Sequence, residues 1–170
     1  MIDLNVIFNA LYYIFPAYCA NAAPVIFGGG RPIDCGRKFI DGRPILGAHK
    51  TFRGFISGVI VGTAVACAQE YLAPQVGLTQ GNVFLGFMLS LGALVGDLLG
   101  SFIKRRLNLK PGEALPISDQ LSFVAVALLF SLVVDPPPVS YVLVILLLTP
   151  IIHLTTNVIA HLLHIKKRPW

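Results

Sequence analysis

Hydrophobic side chains fill five stretches of the chain, residues 4–27, 54–73, 83–103, 118–134 and 139–165, with polar connections between them. A bilayer core about 30 Å thick takes about 20 helical residues. Four stretches meet that length, and residues 118–134, 17 long, stand at its lower limit. Open strand edges do not survive in hydrocarbon, and continuous apolar runs in place of alternation exclude a barrel. The pattern predicts an all-α integral membrane protein, a single domain over residues 1–170 with five transmembrane helices and no internal repeat.

The connections are unequal. Around Asp135-Pro136-Pro137-Pro138 the chain must turn rigidly, because three prolines cannot continue a helix. Residues 28–53, GGGRPIDCGRKFIDGRPILGAHKTFR, are dense in glycine and cations, and residues 104–119, KRRLNLKPGEALPISD, run from cationic to acidic. Together with Lys166, Lys167 and Arg168 these two loops hold all 13 Lys and Arg. By the positive-inside rule the N-terminus lies outside and the C-terminus in the cytoplasm, with both long loops cytoplasmic. Ala20-Asn21-Ala22 looks like a signal-peptidase site, but no positive charge precedes the apolar run, so the first stretch reads as an anchor.

Composition agrees. Charged residues make up 12% of the chain and apolar ones 55%, with mean hydropathy +0.76, whereas soluble domains are about 25% charged. The net charge of +5 does not point to nucleic acid, because the cations flank spans and form no stripe interleaved with aromatics. Cys19, Cys35 and Cys67 have no metal or redox spacing and read as free thiols.

Candidate chemistry lies where charge meets the apolar runs. Asp97, Ser101, Lys104 and Arg105 share one helix face, and Asp97 to Lys104 spans about 10 Å, close to the reach of an extended triphosphate. An acid within a span faces the bundle interior and is functional by default; the alternative is a structural Asp97–Arg pair. Asp119 reads either as a helix cap beside Ser118 or, with Asp97 and Lys110, as a metal ligand. A loop as long as 28–53 usually has work to do. Its glycines admit phosphate to the backbone, and Lys50, Thr51 and Arg53 offer donors beside a helix start; setting topology is the alternative. Gly42 to Thr51 is near a phosphate-loop pattern but lacks the glycine before Lys50 and follows no strand. His153, Asn157, His161 and His164 form a polar stripe, suited to head-group hydrogen bonding or helix–helix contact. A small polytopic transporter using Asp97 and that stripe is the competing class, though it would usually show repeated halves.

Gly96-Asp97-x3-Ser101-x2-Lys104-Arg105-x4-Lys110 resembles the core of the CDP-diacylglycerol synthase signature, and Asp119-Gln120-Leu121 occupies the place of its closing acidic stretch. Pro32-Ile33-Asp34, Asp41 to Gly47, Lys50 to Gly54 and Ala20-Asn21-x2-Pro24 resemble the archaeal branch, the CDP-archaeol synthases, over nearly the whole chain. The bacterial signature continues Lys-Asp after its basic pair, but here Pro111 follows Lys110. Ser122 stands where the second closing acid would be.

The resemblance implies a cytidylyltransferase in a cell membrane, with its active site facing the cytoplasm. It would join CTP to an isoprenoid glycerol-phosphate lipid, unsaturated archaetidic acid, releasing pyrophosphate. It implies Mg²⁺ on Asp97 and Asp119, one ion or two, with Lys104, Lys110 and Arg105 neutralising phosphates. Arg43, Lys50, Thr51, Arg53 and Ser101 would contact nucleotide or lipid phosphate, and Asn21 the cytidine. Membrane lipids surround the rest, and the lipid-facing surface allows a homodimer without demanding one.

Overall fold

A computed structural model describes residues 3–76, 81–110, 113, 115 and 118–165. The cationic C-terminal cluster Lys166, Lys167 and Arg168, which the orientation reading counts, lies outside the described residues. Five helices follow in order, α1 (Leu4–Phe27), α2 (Phe52–Val76), α3 (Val83–Arg106), α4 (Ser118–Ser131) and α5 (Val139–Leu162). Four of them are long and apolar enough to cross a membrane. The fourth is shorter than its apolar stretch, with 14 residues, because the chain turns at 132–134 ahead of the three prolines.

The helices stop and start for local reasons. Asn108 takes a left-handed conformation just past α3 (φ 63°), and Leu109 N–H bonds back to the Lys104 carbonyl at 3.0 Å. Asn tolerates that geometry better than most residues, and the bond satisfies a terminal carbonyl. Asn82 caps the other end of α3 by accepting from Leu85 N–H. Thr51 caps α2, its hydroxyl accepting from Gly54 N–H at 3.1 Å.

Pro16 interrupts α1 and leaves the Tyr12 carbonyl without its intrahelical donor. Gln69 of α2 supplies one, Nε2 donating to that carbonyl at 2.8 Å, while the Tyr12 hydroxyl donates to the Gln69 carbonyl at 3.1 Å. A freed backbone group inside the bilayer is thus satisfied by a neighbouring helix, as hydrocarbon requires.

The bundle core is Ile14, Leu89, Phe123, Val124 and Ile145 with small residues between them. α3 packs most extensively on α4, and glycines make that possible. A methyl group on Gly96 would stand 2.6 Å from the Ser122 carbonyl oxygen, and one on Gly92 2.8 Å from Ala127 Cα. The 92–96–100 spacing puts these glycines and Gly100 on one stripe, the small-residue arrangement that lets membrane helices approach closely. That seam fixes Asp97 and Ser101, which lie on the same helix.

The connection between α1 and α2 is folded. Ile33 N–H reaches the Lys50 carbonyl at 2.8 Å and Phe52 N–H the Arg31 carbonyl at 3.1 Å, so the loop leaves and returns at one place. Residues 37–45 form a small hairpin turning at Gly42.

Candidate active site

One cavity of about 720 Å³ gathers side chains from α1, the first loop, α3, α4 and α5. It runs from the end of the bundle where α1 and α5 finish and α2 begins inward to Tyr18 and Thr149.

The loop wall is organised by Asp34, which is buried. Its Oδ2 accepts from Gly47 N–H at 2.8 Å and Leu46 N–H at 2.9 Å, and its Oδ1 from Gly36 N–H at 3.0 Å. Burial alone would raise its pKa, but these backbone donors outweigh it and hold the carboxyl below its ordinary value. The Ser101 hydroxyl donates to the Leu46 carbonyl at 2.9 Å, tying the segment to α3. Residues 46–51 therefore face the cavity as a fixed strip.

Opposite stands α3. Asp97, about a third exposed, is bound by the Lys50 ammonium at 2.7 Å and 2.6 Å through its two oxygens. The partner of this intramembrane acid is a loop lysine rather than a helix arginine. Two turns on, Lys104 points to Asp119 of α4 at 2.8 Å and 3.0 Å, and to the Glu113 carbonyl at 3.3 Å. Asp119 Oδ2 also accepts from Leu115 N–H at 3.0 Å. The acid, in the first turn of α4, reaches back to the loop before it and among the described residues accepts from no N–H of the helix itself. Arg105 is 5% exposed; its guanidinium donates to the Leu109 carbonyl, and its buried Nε has no partner among the described residues.

Of the residues singled out in the sequence, Asn21, Lys50, Thr51, Asp97, Ser101, Lys104 and Arg105 all line the cavity. Arg43, Arg53, Lys110 and Asp119 are not among its lining residues. Arg53 and Lys110 are exposed, Asp119 meets the cavity only through Lys104, and Arg43 donates to the Arg106 carbonyl at the end of α3. The polar stripe of α5 divides. His153 and Asn157 line the cavity with Thr149, whose hydroxyl is 2.7 Å from that of Tyr18. His161 is not among the lining residues, and His164 is exposed.

Sequence reasoning passed over Asp34 as the loop's organiser, although an Asp two residues before a Gly is a recognised turn signal. It also passed over Tyr18 and Thr149, which carry no motif.

A family model described as CarS-like, CDP-archaeol synthase, matches residues 2–170. The chain is 51% identical to a CDP-archaeol synthase of Thermococcus gammatolerans over 98% of each chain. It is 48% identical to that of Pyrococcus horikoshii over 98% of this chain and 99% of the relative, and 46% identical to that of Methanocaldococcus jannaschii over 98% of each. A solved structure, described as an intramembrane enzyme for archaeal membrane lipids biosynthesis, superposes with a TM-score of 0.78 at 35% identity, covering 89% of this chain and 94% of that one. Fold, cavity and likeness agree: the chain belongs to the CDP-archaeol synthase family, CTP-dependent cytidylyltransferases that act on a lipid phosphate.

Proposed function

We propose that the cavity joins CTP to 2,3-di-O-geranylgeranylglyceryl 1-phosphate, unsaturated archaetidic acid, giving the CDP-activated lipid and pyrophosphate. The observation that carries this reading is the meeting of Asn21, Lys50, Asp97, Lys104 and Arg105 in one cavity, although they come from three separate parts of the chain.

A lipid phosphate monoester has its second pKa near 6 and is mostly dianionic near neutrality. One of its oxygens attacks the α-phosphorus of CTP, and the bond to the β-phosphate oxygen breaks. No proton has to be removed first, so catalysis lies in alignment and in neutralising two polyanions. Lys104 and Arg105 take the triphosphate and steady the departing pyrophosphate. Lys50 exchanges Asp97 for phosphate, and Asn21 offers its amide to cytosine or ribose. Apolar Val25, Ile26 and Ile152 on the α1–α5 side give the isoprenoid tails a path that stays in the bilayer.

The residues fit Mg²⁺. A Mg²⁺ ion is commonly held by one or two carboxylates and completed by substrate phosphates. Asp97 is the acid in the cavity wall; Asp119 offers a second carboxylate once Lys104 engages phosphate. When bound, the ion draws charge from the phosphate oxygens as a Lewis acid. In this reading the cavity end of the bundle is cytoplasmic, the N-terminus lies outside, and the membrane is the cell membrane.

Purified protein given Mg²⁺, CTP and the geranylgeranyl lipid phosphate should release pyrophosphate and form the CDP-lipid in equal amounts. Failure with that lipid while a diacyl phosphate reacts would sink the tail assignment. Failure with both would sink the site. Cysteines placed in the loops at Arg43 and Lys110 should label from the same side of sealed vesicles, opposite to one at Asp135.

A further inference from the structure

Arg106, the final residue of α3, does not line the cavity, yet its side chain meets the first loop at several points. The guanidinium carbon lies 4.8 Å from the Phe39 ring centroid and 4.9 Å from that of Phe102. The two rings meet edge to face at 5.3 Å. One amino group binds the Asp41 carboxylate and the other the Pro44 carbonyl, while the Arg106 carbonyl accepts from the Arg43 guanidinium.

Phe39, Asp41, Arg43 and Pro44 all belong to one small hairpin. It is closed by Phe39 N–H to the Arg43 carbonyl at 2.8 Å and Ile45 N–H to the Arg37 carbonyl at 3.2 Å, and it turns at Gly42 with φ 76°. The chain runs from this hairpin straight into the strip that faces the cavity. Leu46 is bound by Ser101 and Asp34, and Lys50 by Asp97. A planar guanidinium can stack on rings and direct two hydrogen bonds at once, whereas an ammonium is a point charge on a flexible stem.

We propose that Arg106 is a positioning residue for CTP binding. It clasps residues 39–44 to the end of α3, so that the segment 46–51 stands at the cavity wall before the nucleotide arrives. This rests on the reading of that segment as a CTP contact. With the clasp loosened, only a fraction of molecules carry the strip in place, and apparent affinity falls by that fraction. The bound complex is unchanged, so turnover at saturation is kept.

The test uses Arg106→Lys and Phe39→Leu in the full chain, the second leaving every charge in place. Both should raise the KM for CTP about fivefold to tenfold while kcat stays within about twofold. Amide exchange at Phe39, Gly42 and Ile45, followed without CTP, should quicken in both. If Arg106→Lys raises KM while Phe39→Leu behaves as the parent protein, the cation acts on substrate directly and the clasp is wrong. Faster exchange with an unchanged KM would also overturn it, since the hairpin would be held to no purpose for CTP. Should Arg106→Lys fail to fold, Phe39→Leu carries the same two readouts alone. Failure of the underlying site reading shows elsewhere, as a Lys50→Ala protein with an unaltered KM for CTP.

Discussion

Two lysine–aspartate pairs stand at the same end of the bundle, with similar short contacts and different surroundings. In the Lys50–Asp97 pair both side chains line the cavity, and among the described residues nothing else bonds to either carboxylate oxygen. In the Lys104–Asp119 pair only the lysine lines the cavity, and the acid is also bound by a backbone N–H of the preceding loop. In the proposed reaction the first pair is the exchangeable one, each partner trading the other for metal or phosphate. The second is half fixed. A charge contact reveals its work through what else its members touch.

The sharpest way to break this contrast is to remove one charge at a time. Asp97→Asn should lower pyrophosphate release by about 10³-fold, the upper range for losing one preorganised electrostatic group. Its Tm should hardly move, because Lys50 keeps access to solvent and no buried cation is left unpaired. An unfolded variant, or one with near-normal turnover, would refute the metal-ligand role.

Lys104→Ala should cost about 10²-fold in kcat/KM for CTP. Its partner behaves differently. Asp119→Ala should cost less in activity but about 1–2 kcal/mol in stability, since the Leu115 N–H loses a charged acceptor. Thermal unfolding beside activity in the same detergent separates the two. Equal stability losses at Asp97 and Asp119 would erase the distinction drawn here.

A smaller effect is expected from Lys50→Ala, about a fivefold rise in the KM for CTP with kcat nearly kept. Added to Asp97→Asn it should cost almost nothing further, because the two residues act as one unit.

The smallest effect concerns a third carboxylate, Asp34, held by backbone donors and in no ion pair among the described residues. The folded pKa of Asp34 lies below its ordinary 3.8. Its contribution is therefore present above that value and is lost as pH falls through the lower, folded one. Asp34→Asn should be less stable than the parent at pH 7, with the gap narrowing as unfolding is followed below pH 4. A constant gap would mean that the charge of Asp34 does not matter to the loop.

Much of this was legible in the sequence. The spans follow from bilayer thickness, and the face shared by Asp97, Ser101, Lys104 and Arg105 follows from helical periodicity; the structure keeps that face on one wall of the cavity. Periodicity says nothing about partners 47 residues away, so Lys50 could be named as a phosphate donor but not as the counter-charge of Asp97. Arg43 illustrates the same limit, a loop cation whose contact lies 63 residues on at Arg106. The end of α4 was missed because Leu132, Val133 and Val134 are as apolar as the helix before them. Hydrophobicity reports immersion, and the prolines that follow decide where the coil stops. The glycine stripe of α3 could have been read from its spacing of four.

The shortness of α4 bears on the membrane as well as on the protein. Fourteen residues rise about 21 Å, well under the hydrocarbon depth its neighbours cross. Such a mismatch is relieved by thinning the bilayer locally or by drawing the flanking polar residues inward. Asp119, in the first turn of α4, and the Lys104 bound to it would be the groups so drawn. Reconstituted in lipids of graded tail length, the enzyme should therefore work best in thin bilayers, where the head group of a lipid phosphate would meet Lys104 without leaving its own plane. Membrane elasticity would then be one of the enzyme's substrate-presenting parts.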